Sequence, residues 1–298
     1  LTATAGILDA SVVAGTTATL GAALIADSSV FAGTDAALTA AQIAGTAVTA
    51  LNDAVLSGAV LSANAISAGN DATLTGTVQV VGNTVDAAAT ATLIGADLIN
   101  NTVAANAVVA NDGTIQNIIG GTYTSATTAA LTAAIEIGGV TVQATQGATL
   151  ATSTGDIVNT TVEGSTVGLT AFGNISNTAV EAQTTAILTA TADILNSSVV
   201  AGSNATLTGA NITGTTVSAD AIAALTAISG NILDSSVTAG TDATLMAAQI
   251  AGTAVTALND AVLTGAVLSA NAVSAGNDAR LTGTVQVVGN TVDAAATA

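Results

Sequence analysis

Two nested repeats govern what this chain can fold into. The segment that begins at Ala40 recurs almost unchanged from Ala247, 207 residues later. Within it, a leucine in the context A-x-L-T returns every 18 to 20 residues, so the long period holds eleven short ones. Such short periods are typical of solenoids, in which each repeat is one coil that buries its apolar side chains only by stacking on its neighbours.

The repeated leucines keep their step along the chain, apart from one double step between Leu93 and Leu131. They are Leu1, Leu20, Leu38, Leu56, Leu74, Leu93, Leu131, Leu150, Leu169, Leu188, Leu207, Leu225, Leu245, Leu263 and Leu281.

Each short repeat carries three apolar anchors, as in Leu207, Ile212 and Val217. The step from the second to the third anchor is five residues in essentially every repeat, and the step from the third to the next leucine is eight, with one seven. Only the step from the first to the second anchor varies, from five to seven. Length variation is therefore confined to one corner of a coil that must return to register at every turn.

Local composition favours strands over helices. Thr, Val, Ile, Asn and Gly are poor helix formers, and apolar residues alternate with polar ones around each anchor. Turn-forming residues such as Asn196-Ser197-Ser198 follow the second anchors. The chain has no proline, where an average sequence of this length holds roughly fifteen, which fits a backbone whose N–H groups are all needed for hydrogen bonding.

The sequence thus predicts an all-β, single-stranded parallel β-helix, a β-solenoid of about sixteen coils of 18 to 20 residues. Three aliphatic ladders fill an interior too narrow for most aromatic rings. We expect residues 1–298 to form one continuous rod. The rhythm breaks near residues 108–128, which include Asn111-Asp112-Gly113 and the only tyrosine, Tyr123. We interpret this stretch as an irregular coil with a longer loop; a binding protrusion is the alternative.

Charge and residue types exclude several classes of function. The net charge is −18 and Arg280 is the only basic residue, so nucleic-acid binding is excluded. Membrane insertion is not expected, since polar residues interrupt every apolar run and aromatics are 1% of the chain. Without His, Cys or Lys, the usual nucleophile–base pairs cannot form. We therefore predict no enzyme activity and no cofactor, and interpret Glu163 and Glu181 as solvated surface carboxylates.

Six aspartates are weak candidates for a cation-binding ladder. Each lies five residues after a third anchor, and the two sets occupy consecutive coils: Asp35, Asp53, Asp71, Asp242, Asp260 and Asp278. Stacking would place like charges one coil apart, a repulsion of roughly 1 kcal/mol per neighbour in water. Calcium could relieve it. The alternative is a solvated acidic edge without a metal.

The repeats resemble those of filamentous haemagglutinin-like adhesins, the large secreted proteins of bacterial two-partner secretion. The match is carried by Ala186-Ile187-Leu188-Thr189-Ala190, followed by Ile194, Asn196, Val199, Ala201 and Gly202. The resemblance implies a right-handed parallel β-helix, an extracellular or cell-surface location, and a role in adhesion or in a matrix. The chain departs from the family in its near-absence of basic residues and in the 207-residue super-repeat.

Two functions are consistent with these features. The first is a non-catalytic structural segment of a long extracellular filament, sheath or surface-layer fibre that self-associates into fibres or bundles. The alternative is an adhesin stalk or binding module that displays loops to cell-surface glycans or proteins.

Overall fold

The computed structural model describes residues 1–297 and confirms the predicted fold class. These residues form parallel strands and no helix, in a β-solenoid of about 16 turns. The chain divides into two compact units, Leu1–Ser153 and Thr154–Ala298. The prediction of one continuous rod, and of its right-handed sense, stays a prediction.

The first unit contains the strands from β1 to β17. They are β1 Gly6–Leu8, β2 Ser11–Ala14, β3 Ala18–Ala26, β4 Ser29–Ala32, β5 Ala36–Ala44, β6 Ala47–Ala50, β7 Ala54–Ser62, β8 Ala65–Ala68, β9 Ala72–Val81, β10 Thr84–Ile99, β11 Thr102–Ala110, β12 Asn117–Ile119, β13 Thr122–Ser125, β14 Thr128–Ala133, β15 Glu136–Gly138, β16 Thr141–Ala144 and β17 Gly147–Thr152.

The second unit contains the strands from β18 to β36. They are β18 Asp156–Val158, β19 Thr161–Ala171, β20 Ile175–Ser176, β21 Ala179–Ala190, β22 Ile194–Leu195, β23 Ser198–Ala201, β24 Asn204–Gly209, β25 Ile212–Thr213, β26 Thr216–Ala219, β27 Ala223–Ala227, β28 Asn231–Leu233, β29 Ser236–Ala239, β30 Ala243–Met246, β31 Gln249–Ala251, β32 Ala254–Ala257, β33 Ala261–Ser269, β34 Ala272–Ala275, β35 Ala279–Val288 and β36 Thr291–Ala294.

Within each unit, every strand pairs in parallel with its equivalent one coil further on. The pairing of β24 with β27 aligns Leu207 with Leu225, and the pairing of β26 with β29 aligns Val217 with Val237. Because strands of equivalent sequence lie in register, equivalent side chains stack directly on one another.

This register produces the three predicted ladders, whose members are almost all inaccessible to solvent away from the first and last coils. The leucine ladder comprises Leu20, Leu38, Leu56, Leu74, Leu93, Leu131 and Leu150 in the first unit, and Leu169, Leu188, Leu207, Leu225, Leu245, Leu263 and Leu281 in the second. The second ladder runs from Ile7 to Ile137 and from Ile157 to Val287, and the third from Val12 to Val142 and from Val162 to Val292.

The double step between Leu93 and Leu131 conceals a complete coil. Val109 pairs with Thr92 and Ala110 pairs with Leu131, so Ala110 takes the leucine position of the missing rung. Ile118 and Tyr123 continue the other two ladders. The interior, predicted to be too narrow for most aromatic rings, holds one at this rung, because Tyr123 is completely buried in the third ladder.

The constant five-residue step between the second and third anchors reflects a tight corner. Its second residue has positive φ in every coil, and is Gly, Asn or Asp in all but two of them. These types tolerate the left-handed conformation. The exceptions are Ala63 and Ala270, each with φ of 53°. The third residue of the corner is usually a buried Ser, Thr or Asn.

Where this buried corner residue is polar, it links its coil to the neighbouring coils by hydrogen bonds. The Asn83 amide Nδ2 donates to the Leu61 carbonyl (3.0 Å) and to Asn101 Oδ1 (3.1 Å). Its Oδ1 accepts from the Asn64 backbone N–H (3.0 Å) and from Asn64 Nδ2 (2.9 Å). Where serine takes the position, its hydroxyl still accepts a backbone N–H from the preceding coil, as Ser28 does from Ala10 (3.2 Å). The corner is therefore an interior ladder of hydrogen bonds.

Some glycines that follow the third-anchor strands mark places where two coils approach closely. A Cβ atom added to Gly240 would lie 2.0 Å from the Asp220 carbonyl oxygen, and one added to Gly69 would lie 2.1 Å from that of Leu51. Any other residue at these positions must push two backbone segments apart.

Candidate functional site

The acidic edge of the first unit is built from aspartates and asparagines of successive coils. Asp35 Oδ1 accepts from Asn52 Nδ2 (2.7 Å) and from the Asp53 backbone N–H (3.3 Å). Asp53 Oδ1 accepts in the same way from Asn70 Nδ2 (2.8 Å) and the Asp71 N–H (3.2 Å). Each carboxylate is thus stabilised by two donors of the following coil.

The second unit repeats the arrangement at the positions predicted from the super-repeat. Asp242 Oδ1 accepts from Asn259 Nδ2 (2.7 Å) and the Asp260 N–H (3.2 Å). Asp260 Oδ1 accepts from Asn277 Nδ2 (2.9 Å) and the Asp278 N–H (3.1 Å). The structure therefore brings all six candidate aspartates into two ladders of the same geometry.

These hydrogen bonds offset the repulsion between stacked carboxylates without an ion, because amide donors lie between successive charges. Within residues 1–297, no group of three or more His, Cys, Asp and Glu side chains is close enough to hold a metal ion. Calcium binding along this edge stays a prediction. The asparagines were missed as partners of the aspartates, although each directly precedes the aspartate of its own coil in Asn-Asp pairs.

A second polar ladder, also missed from the sequence, lies one residue before the second anchors in the second unit. Asp156 Oδ1 accepts from the Asn174 N–H (2.6 Å), and Asp193 Oδ1 accepts from Asn211 Nδ2 (2.8 Å). Asn174 Oδ1 accepts from the Asp193 N–H (3.1 Å) and so joins the two. Charged and neutral side chains alternate here, which keeps like charges two coils apart. The alternation Asp, Asn, Asp, Asn at the same repeat position was the available signal.

Glu163 and Glu181 lie in register on neighbouring coils, directly after third anchors. They face outward from β19 and β21 and border an open cleft of about 140 Å³ together with Thr161, Ser198 and Val200. Both lie on the outer face of the sheet, and the sequence has no His, Cys or Lys.

The stretch 108–128 is mostly regular coil in the structure. It contains the end of β11 together with β12 and β13, and the residues that leave the coil are confined to Asn111–Thr114, all four exposed. The Thr114 hydroxyl donates to the Asp112 carboxylate (2.8 Å), and the Thr114 N–H donates to Asp112 Oδ1 (3.1 Å). The loop lies at the corner between the first and second anchors, where the sequence predicted that length varies.

Tyr123 is a completely buried titratable group. Burial raises the pKa of its phenol well above the usual range, and the Asn101 side chain offsets this only in part. Its hydroxyl makes no hydrogen bond of good geometry within residues 1–297. Two residues earlier, Gly121 takes the corner position that holds Asn101 one coil before, so the asparagine ladder ends next to this phenol.

The outward positions of the third-anchor strands carry mostly small, uncharged residues. In β32 and β34 they are Ala254, Thr256, Ala272 and Ser274, all exposed. Arg280 lies on a different strand, β35, exposed and paired in register with Val262.

The geometry defines the chain as a β-solenoid. No protein-family model, no curated protein and no solved structure is significantly similar to it. In residues 1–297 there is no helix with the length and apolar character needed to cross a membrane.

Proposed function

We propose that this chain is a non-catalytic structural segment of a long extracellular filament, sheath or surface-layer fibre. The observation that carries the proposal is that the same surface residues recur together with the same buried ladders. The acidic edge at Asp35, Asp53 and Asp71 returns at Asp242, Asp260 and Asp278 with the same hydrogen bonds. A surface that repeats with the super-repeat is suited to repeated, equivalent contacts along a fibre.

The uncharged outer faces support lateral self-association. The third-anchor strands β26, β29, β32 and β34 present Ser, Thr and Ala over four consecutive coils, and faces of small residues can approach another sheet closely. The partner in this proposal is another copy of the chain. The acidic edge limits which faces can meet, since like charges repel unless they are screened by salt or bridged by cations.

The proposal is tested by the state of the purified chain. We expect light scattering at rising concentration in physiological salt to show a growing mass, and electron microscopy to show fibres or bundles. Ala272→Glu places a charge on the uncharged face, and we expect it to weaken association. Thr244→Glu, at an exposed position on the leucine-ladder strand β30 of the same unit, is the matched control. A monodisperse monomer at high concentration would exclude the fibre.

The loop Asn111–Thr114 favours a second candidate, an adhesin stalk of the filamentous haemagglutinin type. Loops that project from a rigid scaffold frequently carry recognition. In that case the protein binds a cell-surface glycan or protein, and replacement of Asn111–Thr114 by Gly and Ser removes binding to cells without changing the mass in solution. A chain that binds cells but shows no increase of mass with concentration would favour the adhesin over the fibre.

A further inference from the structure

The loop Asn111–Thr114 contains the only Asp-Gly dipeptide of the sequence, Asp112-Gly113. Both residues are exposed, Gly113 has φ of 83°, and nothing lies within 4 Å of the place where its Cβ would be. Glycine leaves the backbone nitrogen that follows Asp112 sterically open.

That nitrogen is also free of the hydrogen bonds that hold its counterparts elsewhere. Within residues 1–297 the Gly113 N–H makes no hydrogen bond. By contrast, the N–H that follows Asp35 donates to the Asp53 carbonyl (2.9 Å), and the N–H of Ala221, after Asp220, donates to the Ser203 carbonyl (2.8 Å). A nitrogen engaged in such a ladder must break its bond before it can react.

The Asp112 side chain is folded over the same peptide. The bond from the Thr114 N–H to Asp112 Oδ1 (3.1 Å) closes a ring that includes the Gly113 nitrogen. The Thr114 hydroxyl contacts both carboxylate oxygens (2.9 and 2.8 Å). The Gly113 nitrogen and the Asp112 carboxyl carbon are therefore members of the same hydrogen-bonded ring.

We propose that Asp112 is a site of spontaneous isoaspartate formation. The Gly113 nitrogen attacks the protonated Asp112 carboxyl carbon, a C–N bond forms, and the nitrogen proton leaves with the carboxyl hydroxyl as water. The resulting succinimide takes up one water at either carbonyl, which restores aspartate or yields isoaspartate. No oxidant, reductant or further reactant is consumed.

The modification changes the loop and spares the coil. Isoaspartate inserts the side-chain methylene into the backbone between Ala110 and Ile115, outside β11 and β12. The three ladders keep their register. Isoaspartate therefore accumulates with time in this loop without destabilising the fold.

The test is incubation of the full chain in water enriched in heavy oxygen, followed by digestion and mass spectrometry. Each pass through the succinimide incorporates one heavy oxygen atom. We expect label and isoaspartate at Asp112 and neither at Asp35 or Asp220. Asp112→Glu should lose the label, because its side chain would have to close a larger, slower-forming ring.

The matched control separates the structure from the dipeptide. Ala221→Gly creates a second Asp-Gly, at Asp220, whose following N–H is engaged with Ser203. We expect it to stay unlabelled in the folded chain and to acquire label in denaturant. Equal labelling of Asp112 and Asp220 in the folded variant, or no label at Asp112, would overturn the proposal.

Discussion

The interior asparagine ladder gives the sharpest test of what holds successive coils together. In Asn83→Ala, five groups lose a partner: the backbone N–H and the side-chain amide of Asn64, the carbonyls of Leu61 and Val81, and Asn101 Oδ1. Asn83 and Asn64 are both buried, and an unsatisfied buried polar group costs about 1–3 kcal/mol. We therefore expect the free energy of unfolding of the first unit to fall by about 3 kcal/mol or more.

A graded substitution checks the reasoning group by group. In Asn83→Ser the hydroxyl can still accept the Asn64 N–H, as Ser28 accepts that of Ala10. The free energy of unfolding of Asn83→Ser should therefore lie between that of the wild-type chain and that of Asn83→Ala. Asn70→Ala removes an amide donor from the partly exposed outer ladder, and we expect a loss of about 1 kcal/mol or less.

The assay is denaturant unfolding followed by tyrosine fluorescence. Tyr123 is the only tyrosine and the chain has no tryptophan, so the signal reports the first unit. Hydrogen exchange at the Asn64 backbone N–H measures the stability of this corner locally. If Asn83→Ala unfolds within about 0.5 kcal/mol of wild type, as ordinary surface substitutions do, the corner bonds do not stabilise the stack.

Three further predictions concern single positions. Gly240→Ala should destabilise the second unit by about 1–3 kcal/mol, as overpacking does. Gly168→Ala, in the same unit and with no atom within 4 Å of the added Cβ, should be nearly neutral when unfolding is followed by circular dichroism. Ala63→Gly should raise stability by up to about 1 kcal/mol, since alanine is disfavoured at positive φ; an unchanged or lower midpoint would contradict this. Tyr123→Phe should stabilise by about 1 kcal/mol by removing an unpaired buried hydroxyl. The pKa of the Tyr123 phenol is raised in the fold. The stability that comes from keeping this phenol protonated is complete below about pH 10 and declines as the pH rises above it. Absorbance titration of the folded chain should show no phenolate at about pH 10, where a free tyrosine is half ionised.

The repeat spacing determined the architecture because register leaves little freedom. Once Leu207, Ile212 and Val217 recur with nearly constant steps, only a coil returns them to the same place. The rung at Ala110 escaped notice because alanine is common on every face of this chain, so composition does not distinguish an inward alanine from an outward one. The five-residue step from Ile118 to Tyr123 was the available signal.

Side-chain partners were harder to predict than positions. The repeat placed Asp35 and Asp53 in adjacent coils, but the donation from Asn52 to Asp35 depends on rotamers that spacing does not specify. Tyr123 was not assigned to the third ladder for a related reason. The aliphatic anchors of the repeats indicate only the average width of the interior, whereas the volume available to one side chain depends on its immediate neighbours.

The unequal corners of the coil have a consequence for how such a chain can diversify. Five residues link Ile118 to Tyr123, and a glycine or other tolerant residue must turn the chain there, so a single insertion would shift the third ladder out of line. Eight residues link Ala110 to Ile118, and since closing a longer loop costs little extra entropy, this side can admit added peptide. Insertions, whether from evolution or from grafting, are therefore expected to accumulate at the corner between the first and second anchors.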